Sequence, residues 1–256
     1  MNNTSPPAGY RESALGGTVL VVREEHHDAL REALAKGSLH QWAAWQPGAQ
    51  AMQGRVVAWA TQLGNGTKIV VRHSHHGGMF AALTGDLFLK PPRAPHELEM
   101  AVALRAAGVP TPDVIGYAIY DAVGPFCRAD VVTQLVDGAD LPAAWAAAHS
   151  PAERDGIVDA MSGLLRTLQR AGARHPDLNL KNILISEADG APAAWVLDVD
   201  RVAIDRDHSE HVGDANARRL SVSLAKWRRQ HGLAFSDAHY IRMMDGAGID
   251  WKDLGP

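Results

Sequence analysis

The stretch His175-Pro176-Asp177-Leu178-Asn179-Leu180-Lys181-Asn182-Ile183-Leu184-Ile185 decides how the rest of the chain is read. Its polar half spells H-x-D-x-x-x-x-N, and its apolar end predicts a short strand. A second apolar run, Trp195–Leu197, follows the turn-rich connector Glu187–Pro192, so the two runs form a hairpin. Asp198 closes the second run, within Val196-Leu197-Asp198-Val199-Asp200-Arg201. Asp177, Asn182 and Asp198 thus bracket one hairpin, which can gather them at a cleft edge. Phosphoryl transfer from a nucleotide calls for such a set. One carboxylate orients and deprotonates the attacking hydroxyl, while an amide oxygen and a second carboxylate hold the Mg²⁺ that bridges the phosphates. Hard oxygen donors suit Mg²⁺, which keeps some of its water. The competing reading, a polar loop with chance carboxylates, does not explain why helix, loop, strand and hairpin agree in order.

Upstream of the loop, Ser150-Pro151-Ala152-Glu153 is a capping box with Pro at the first helical position. The helix it opens places Ile157, Met161, Leu164, Leu165 and Leu168 on one face and stops at Gly172. Val56–Leu63 and Thr67–Arg72 are apolar runs joined by Gly64-Asn65-Gly66, a hairpin turn. A helix is predicted at 96–107, closed by Gly108 with Pro110 and Pro112 beyond. Val19–Val22, Val114–Ile119 and Ala129–Leu135 read as strands, and Asp28–Lys36 as a surface helix. Residues 1–17 read as a disordered lead-in, and the end of the chain as a basic helical segment at 216–230 followed by a polar tail. The front is β-rich with one main helix, the back mostly helical, with a hinge near Gln134–Gly138. Two lobes with a cleft between them are expected.

A strand-borne cation paired with a helix Glu serves as phosphate clamp in such folds. The strand Lys68-Ile69-Val70-Val71-Arg72 ends in Arg72, and the next helix carries Glu97, with Glu99 as a rival. Arg72 stands where Lys is usual. Its guanidinium can hold phosphate oxygens through two bonds at once. An ordinary surface ion pair is the alternative. A glycine-rich cover over the phosphates is only weakly present, since Gly48 and Gly54 do not match G-x-G-x-x-G.

Composition bounds the rest. The 256 residues are 46% hydrophobic and 21% charged, with a net charge of −4. Those values fit a globular chain with a real core and speak against a dedicated nucleic-acid binder. The single Cys127 rules out a disulfide framework and suits a reducing compartment. No run approaches 18 apolar residues, and residues 1–10 carry no apolar signal core.

These pieces resemble the 3-deoxy-D-manno-octulosonic acid (Kdo) kinase family, in the lipopolysaccharide-kinase branch of the protein-kinase-like fold. The likeness covers about residues 54–230. It rests on Val71-Arg72-His73 followed by Gly77-Gly78, then Ala81, Leu83, Asp86 and Leu89. It continues through Glu97, Gly108-Val109-Pro110-Thr111-Pro112, Arg128-Ala129-Asp130-Val131-Val132-Thr133, the H-x-D-L-N-x-x-N loop and Asp198-Val199-Asp200-Arg201. Asn179 and the Arg-His…Gly-Gly segment set this family apart from ordinary protein kinases. Ser74, His75, His76, Ala82 and Gly85 depart from the aromatic and basic residues the family often carries there. The resemblance implies an α+β, two-lobed fold: an N-terminal extension at 1–45, an N-lobe at 46–136 and a C-lobe at 137–256. It implies ATP and Mg²⁺, with Asp177 as base, Asn182 and Asp198 as metal ligands, and Arg72, Glu97 and Gly54 at the nucleotide. The acceptor would be Kdo on a lipid A precursor, reached by a peripheral protein on the cytoplasmic face of the inner membrane. No obligate protein partner and no nucleic acid are expected. A soluble kinase of the aminoglycoside or choline type shares H-x-D-x-x-x-x-N and is the first alternative; a non-catalytic pseudokinase is the second.

Other features have plainer readings. His73, His75 and His76, or His208 and His211, lack acidic or thiolate partners at metal-binding spacing. His175 reads as a brace for the catalytic loop. Cys127 is expected in the core, and Trp42, Trp45 and Trp59 more as core than as ligand platforms. Asn216–Gln230 puts Leu220, Leu224 and Trp227 on one face, ringed by Arg218, Arg219, Lys226, Arg228 and Arg229. Packing on the back lobe with a solvated basic face is favoured over contact with an anionic membrane.

Overall fold

The computed structural model describes residues 5–52, 56–75, 85–207 and 209–252. They fall into two compact units, 5–102 with 113–135, and 103–112 with 136–252.

The first unit is built on an antiparallel sheet. Its strands are β1 (Tyr10–Leu15), β2 (Thr18–Arg23), β3 (Gln50–Met52), β4 (Ala58–Gln62), β5 (Lys68–His73), β6 (Phe88–Leu89), β7 (Val114–Asp121) and β8 (Phe126–Gln134). Their order is β1-β2-β7-β8-β5-β4-β3, with β6 also on β8. The helices α1 (His27–Leu34) and α2 (Leu39–Ala44) bury Leu30, Ala33, Leu39 and Trp42 against Leu20, Ile69, Val71 and Val132. Residues 10–44 are therefore sheet and core, not an extension. The sequence hides this because β1 is an edge strand. It pairs with β2 through its main chain and leaves every side chain but that of Tyr10 at least partly exposed, so it needs little apolar sequence. Trp42 is buried and Trp59 packs on the same core, but Trp45 is 67% exposed. It is the C-cap of α2, where the helix has ended and its face no longer points inward. The helix α3 (Ala94–Ala106) ends at Gly108, whose φ is +79°.

The second unit holds α4 (Leu141–Ala147), α5 (Pro151–Arg170), α6 (Ser209–His231) and α7 (Asp237–Ala247). Its small sheet runs β12 (Ala191–Val196), β11 (Ile183–Ala188), β9 (Ala139–Asp140), beside a ribbon of β10 (Ala173–Arg174) and β13 (Ala203–Ile204). The Ser150 capping box opens α5, and all five apolar residues of its predicted face are buried. The β11–β12 hairpin turns on Asp189-Gly190, both at positive φ, with Ala188 opposite Ala191. This is the two-residue turn that matches strand twist, so the strands run longer than the apolar runs suggest. Gly138 lies against β11 so closely that a Cβ would sit 2.4 Å from the Ile185 carbonyl oxygen. Residues 237–247 are not a polar tail. Tyr240, Met243, Met244 and Ala247 form the buried stripe of α7, and the Tyr240 hydroxyl meets Ser221 Oγ at 2.7 Å. Polar residues between these positions mask their helical spacing.

Candidate active site

The H-x-D-x-x-x-x-N segment leaves β10 and closes in a 3-10 turn at Leu180–Asn182. Leu178 and Leu180 are buried and pin it from below. Asn179 shapes the turn. Its Oδ1 accepts the N–H groups of Lys181 at 2.9 Å and Asn182 at 3.2 Å, while its Nδ2 donates to the Asp177 carbonyl at 3.1 Å. Asn182 Nδ2 donates to the same carbonyl at 2.9 Å. Lysine, with no acceptor, cannot cap this turn, which accounts for an Asn at position 179.

His175 is 1% exposed and braces the loop at three atoms. Its N–H donates to Asn216 Oδ1 at 2.9 Å, and Asn216 Nδ2 donates onward to the Ala173 carbonyl at 2.8 Å. Its Nδ1 faces the Asp177 N–H at 3.2 Å and must accept, so the ring proton sits on Nε2, 3.0 Å from the Leu197 carbonyl. The ring thus ties the loop to the far strand of the hairpin. The Leu197 N–H donates to the Asn182 carbonyl at 2.9 Å, so Asp198 stands one residue beyond the last pairing. Asp198 is exposed, with φ +62° and ψ +50°, before the 3-10 turn Val199–Arg201. Asp tolerates that left-handed conformation better than most side chains.

Asp177 is half-buried, and Arg219 of α6 donates to it: Nη2 lies 2.6 Å from Oδ1, and Nε 3.3 Å from the Pro176 carbonyl. Burial pushes the Asp177 carboxyl up, but the hydrogen bonds from Arg219 and Asn179 and the charge of Arg219 outweigh it. The carboxyl is held below its ordinary range. Sequence reading assigned Arg219 to a surface patch. A helix wheel gives no hint that this one basic position meets a loop 42 residues away. Lys181 in turn pairs with Asp140 at 2.7 Å and lies over the Trp227 ring at 5.6 Å.

In the first unit, Arg72 Nη2 at the end of β5 donates to Glu97 Oε1 of α3. Glu97 is buried and Arg72 partly exposed, while the rival Glu99 is exposed. His73, next along β5, lies between two carboxylates: Nδ1 meets Asp130 Oδ1, and Nε2 meets Asp86 Oδ2 at 3.1 Å. Asp130 is fully buried and also accepts the Tyr120 hydroxyl at 2.7 Å and the His40 N–H at 2.9 Å. With both ring nitrogens facing carboxylates, His73 serves this network; among the described residues no group of three His, Cys, Asp or Glu side chains gathers for a metal. Gly54, His76, Gly77, Gly78, Ala81, Leu83 and His208 lie outside the described residues. Cys127 is buried.

The α6 helix buries Leu220 and Leu224. Arg219 is engaged at the loop, and Arg228 donates to Asp237 at 2.7 Å. Arg218, Lys226 and Arg229 remain exposed, around an exposed Val222. No described helix is long and apolar enough to cross a membrane.

Comparison with known proteins bears on this geometry. Residues 40–246 match the model of the lipopolysaccharide kinase (Kdo/WaaP) family. A 3-deoxy-D-manno-octulosonic acid kinase of Stenotrophomonas maltophilia (strain R551-3) is 30% identical over 207 residues, 78% of this chain and 78% of that protein. One of Pasteurella multocida (strain Pm70) is 25% identical over 200 residues, 76% and 82% of the two chains. A solved structure described as WaaP in complex with acyl carrier protein is similar in fold, with a TM-score of 0.55 and 14% identity. The match covers 90% of this chain and 88% of that one.

Proposed function

Because the chain belongs to the lipopolysaccharide kinase (Kdo/WaaP) family and is a kinase, we propose that it phosphorylates a hydroxyl of Kdo on a lipid A precursor, with ATP as donor. One observation supports this above others: Asp177 and Asn182 share a loop that His175 ties to the strand leading into Asp198. Asp177 receives the hydroxyl proton and aims the oxygen. Its backbone is held at the N–H and twice at the carbonyl, so its carboxylate stays oriented. Arg72, oriented by Glu97, supplies the fixed positive charge for nucleotide phosphates.

The donor set fits magnesium. Asn182 has committed its amide nitrogen to the Asp177 carbonyl, which leaves its oxygen to offer, and Asp198 brings a carboxylate to the same open end of the hairpin. Two oxygen donors and no soft ligand suit a cation that retains water. Magnesium bound there would neutralise phosphate oxygens as charge develops on them.

A lipid acceptor does not leave its bilayer, so the protein must come to it, and a peripheral position at the inner membrane follows. The exposed stripe of Arg218, Val222, Lys226 and Arg229 on α6 supports that placement. The test of the whole reading is mass spectrometry of a Kdo–lipid A precursor after incubation with ATP, Mg²⁺ and the protein. Gain of one phosphate is the expected result. An untouched lipid beside a phosphorylated aminoglycoside or choline would overturn it.

A further inference from the structure

Arg219 is placed for more than holding Asp177. The guanidinium contacts the carboxylate that takes the acceptor's proton, and it is anchored by Nε to the Pro176 carbonyl one residue earlier. Its side chain is 38% exposed and that of Asp177 48% exposed, so the pair is open to a ligand rather than sealed in the core. Any hydroxyl that reaches Asp177 brings its neighbouring atoms past this guanidinium. The acceptor proposed above is a sugar acid, which carries a carboxylate a few bonds from its hydroxyls. We propose that Arg219 recognises the acceptor's carboxylate and sets the preference for an acidic sugar; this rests on the function proposed above.

The chemistry favours the exchange. Arg is the cation suited to a carboxylate, because its planar fork presents parallel N–H donors, and it keeps its charge at every working pH. Without an acceptor, the fork is spent on Asp177 and on the Pro176 carbonyl. With an acceptor, a second carboxylate shares the same donors, which lie open to solvent beside Asp177. The Arg219 backbone lies on α6, fixed one turn earlier by buried Asn216, so the fork can turn between two carboxylates while its base stays in place.

The experiment compares a soluble Kdo glycoside having a free carboxylate with its methyl ester, in wild type, Arg219→Gln and Arg219→Lys. For the wild type, kcat/KM should favour the free acid about 10- to 100-fold, mainly through KM, as loss of a charge-assisted hydrogen bond implies. In Arg219→Gln that preference should fall to about onefold, whatever happens to the absolute rate, and Arg219→Lys should lie between. A wild type that does not distinguish acid from ester overturns the proposal without any variant, and so does a glutamine variant that keeps the full preference. If the wild type phosphorylates neither compound nor the lipid precursor, the functional reading itself falls, and this inference with it. Turnover of the lipid with no acid preference leaves the kinase reading intact and removes Arg219 alone.

Discussion

The Asn216 amide oxygen accepts the main-chain N–H of His175 at 2.9 Å, across 41 residues, and both residues are 1% exposed. The amide nitrogen of Asn216 serves the Ala173 carbonyl, so one side chain on α6 satisfies two main-chain groups at the start of the loop. Replacing Asn216 by Leu orphans both. Each buried orphan costs about 1–3 kcal/mol, so urea unfolding should show a loss in that range or above. An unchanged midpoint would mean that water takes over both bonds.

Asp177→Asn keeps the loop's main-chain bonds and removes the proposed proton acceptor. Turnover should fall about two to four orders of magnitude while the thermal midpoint holds. Single-turnover rates with saturating ATP measure this directly, and near-normal turnover would assign the proton to another group.

Asp198 is best tested as Asp198→Asn, because Asn also accepts the left-handed backbone that Asp198 adopts. The thermal shift given by ATP with Mg²⁺ should largely vanish, while the midpoint in chelator stays near wild type. A full-sized shift in the variant would remove Asp198 from the metal.

His73 gives a pH signature. Burial works against a charged ring, but hydrogen bonds and charge from Asp130, then Asp86, win, and its pKa rises above the ordinary value of about 6.5. A group whose pKa is raised by folding contributes its full stability below the unfolded value and loses it as pH climbs through the folded one. Wild type should therefore exceed His73→Gln most at pH below about 6.5, and the gap should narrow as the solution becomes alkaline. Denaturant unfolding at a series of pH values reads the trend; a gap that widens with pH would contradict it.

Sedimentation with vesicles tests the membrane-facing surface. Arg218, Lys226 and Arg229 are the exposed cations of α6, whereas Arg219 and Arg228 already hold Asp177 and Asp237. Each exposed cation near an anionic leaflet is worth about 1 kcal/mol at low salt. Charge reversal of the three should abolish salt-sensitive binding to anionic vesicles and leave turnover on a soluble acceptor largely intact. Wild-type sedimentation of the triple variant would move the contact elsewhere.

The loop was legible in the sequence because its chemistry is local: Asp177, Asn182 and Asp198 are fixed by spacing around one hairpin. The Arg72–Glu97 pair was legible because a strand end and the next helix bear opposite charges. What escaped was non-local or masked. Arg219 and Asn216 act on a loop some 40 residues away, and their own helix offers no periodic sign of it. The β1 strand pairs through its main chain, so its polar side chains read as a loose terminus. The core face of α7 has only four buried residues, two of them Met, and polar neighbours dilute it.

The cation at the end of β5 is a guanidinium, where comparable sites carry an amine. A primary amine at that point is a nucleophile once it loses its proton, and it can be acylated by enzymes or by reactive nucleotide analogues. A guanidinium resists that reaction because it stays protonated. This position of the protein is therefore closed to control by lysine acetylation.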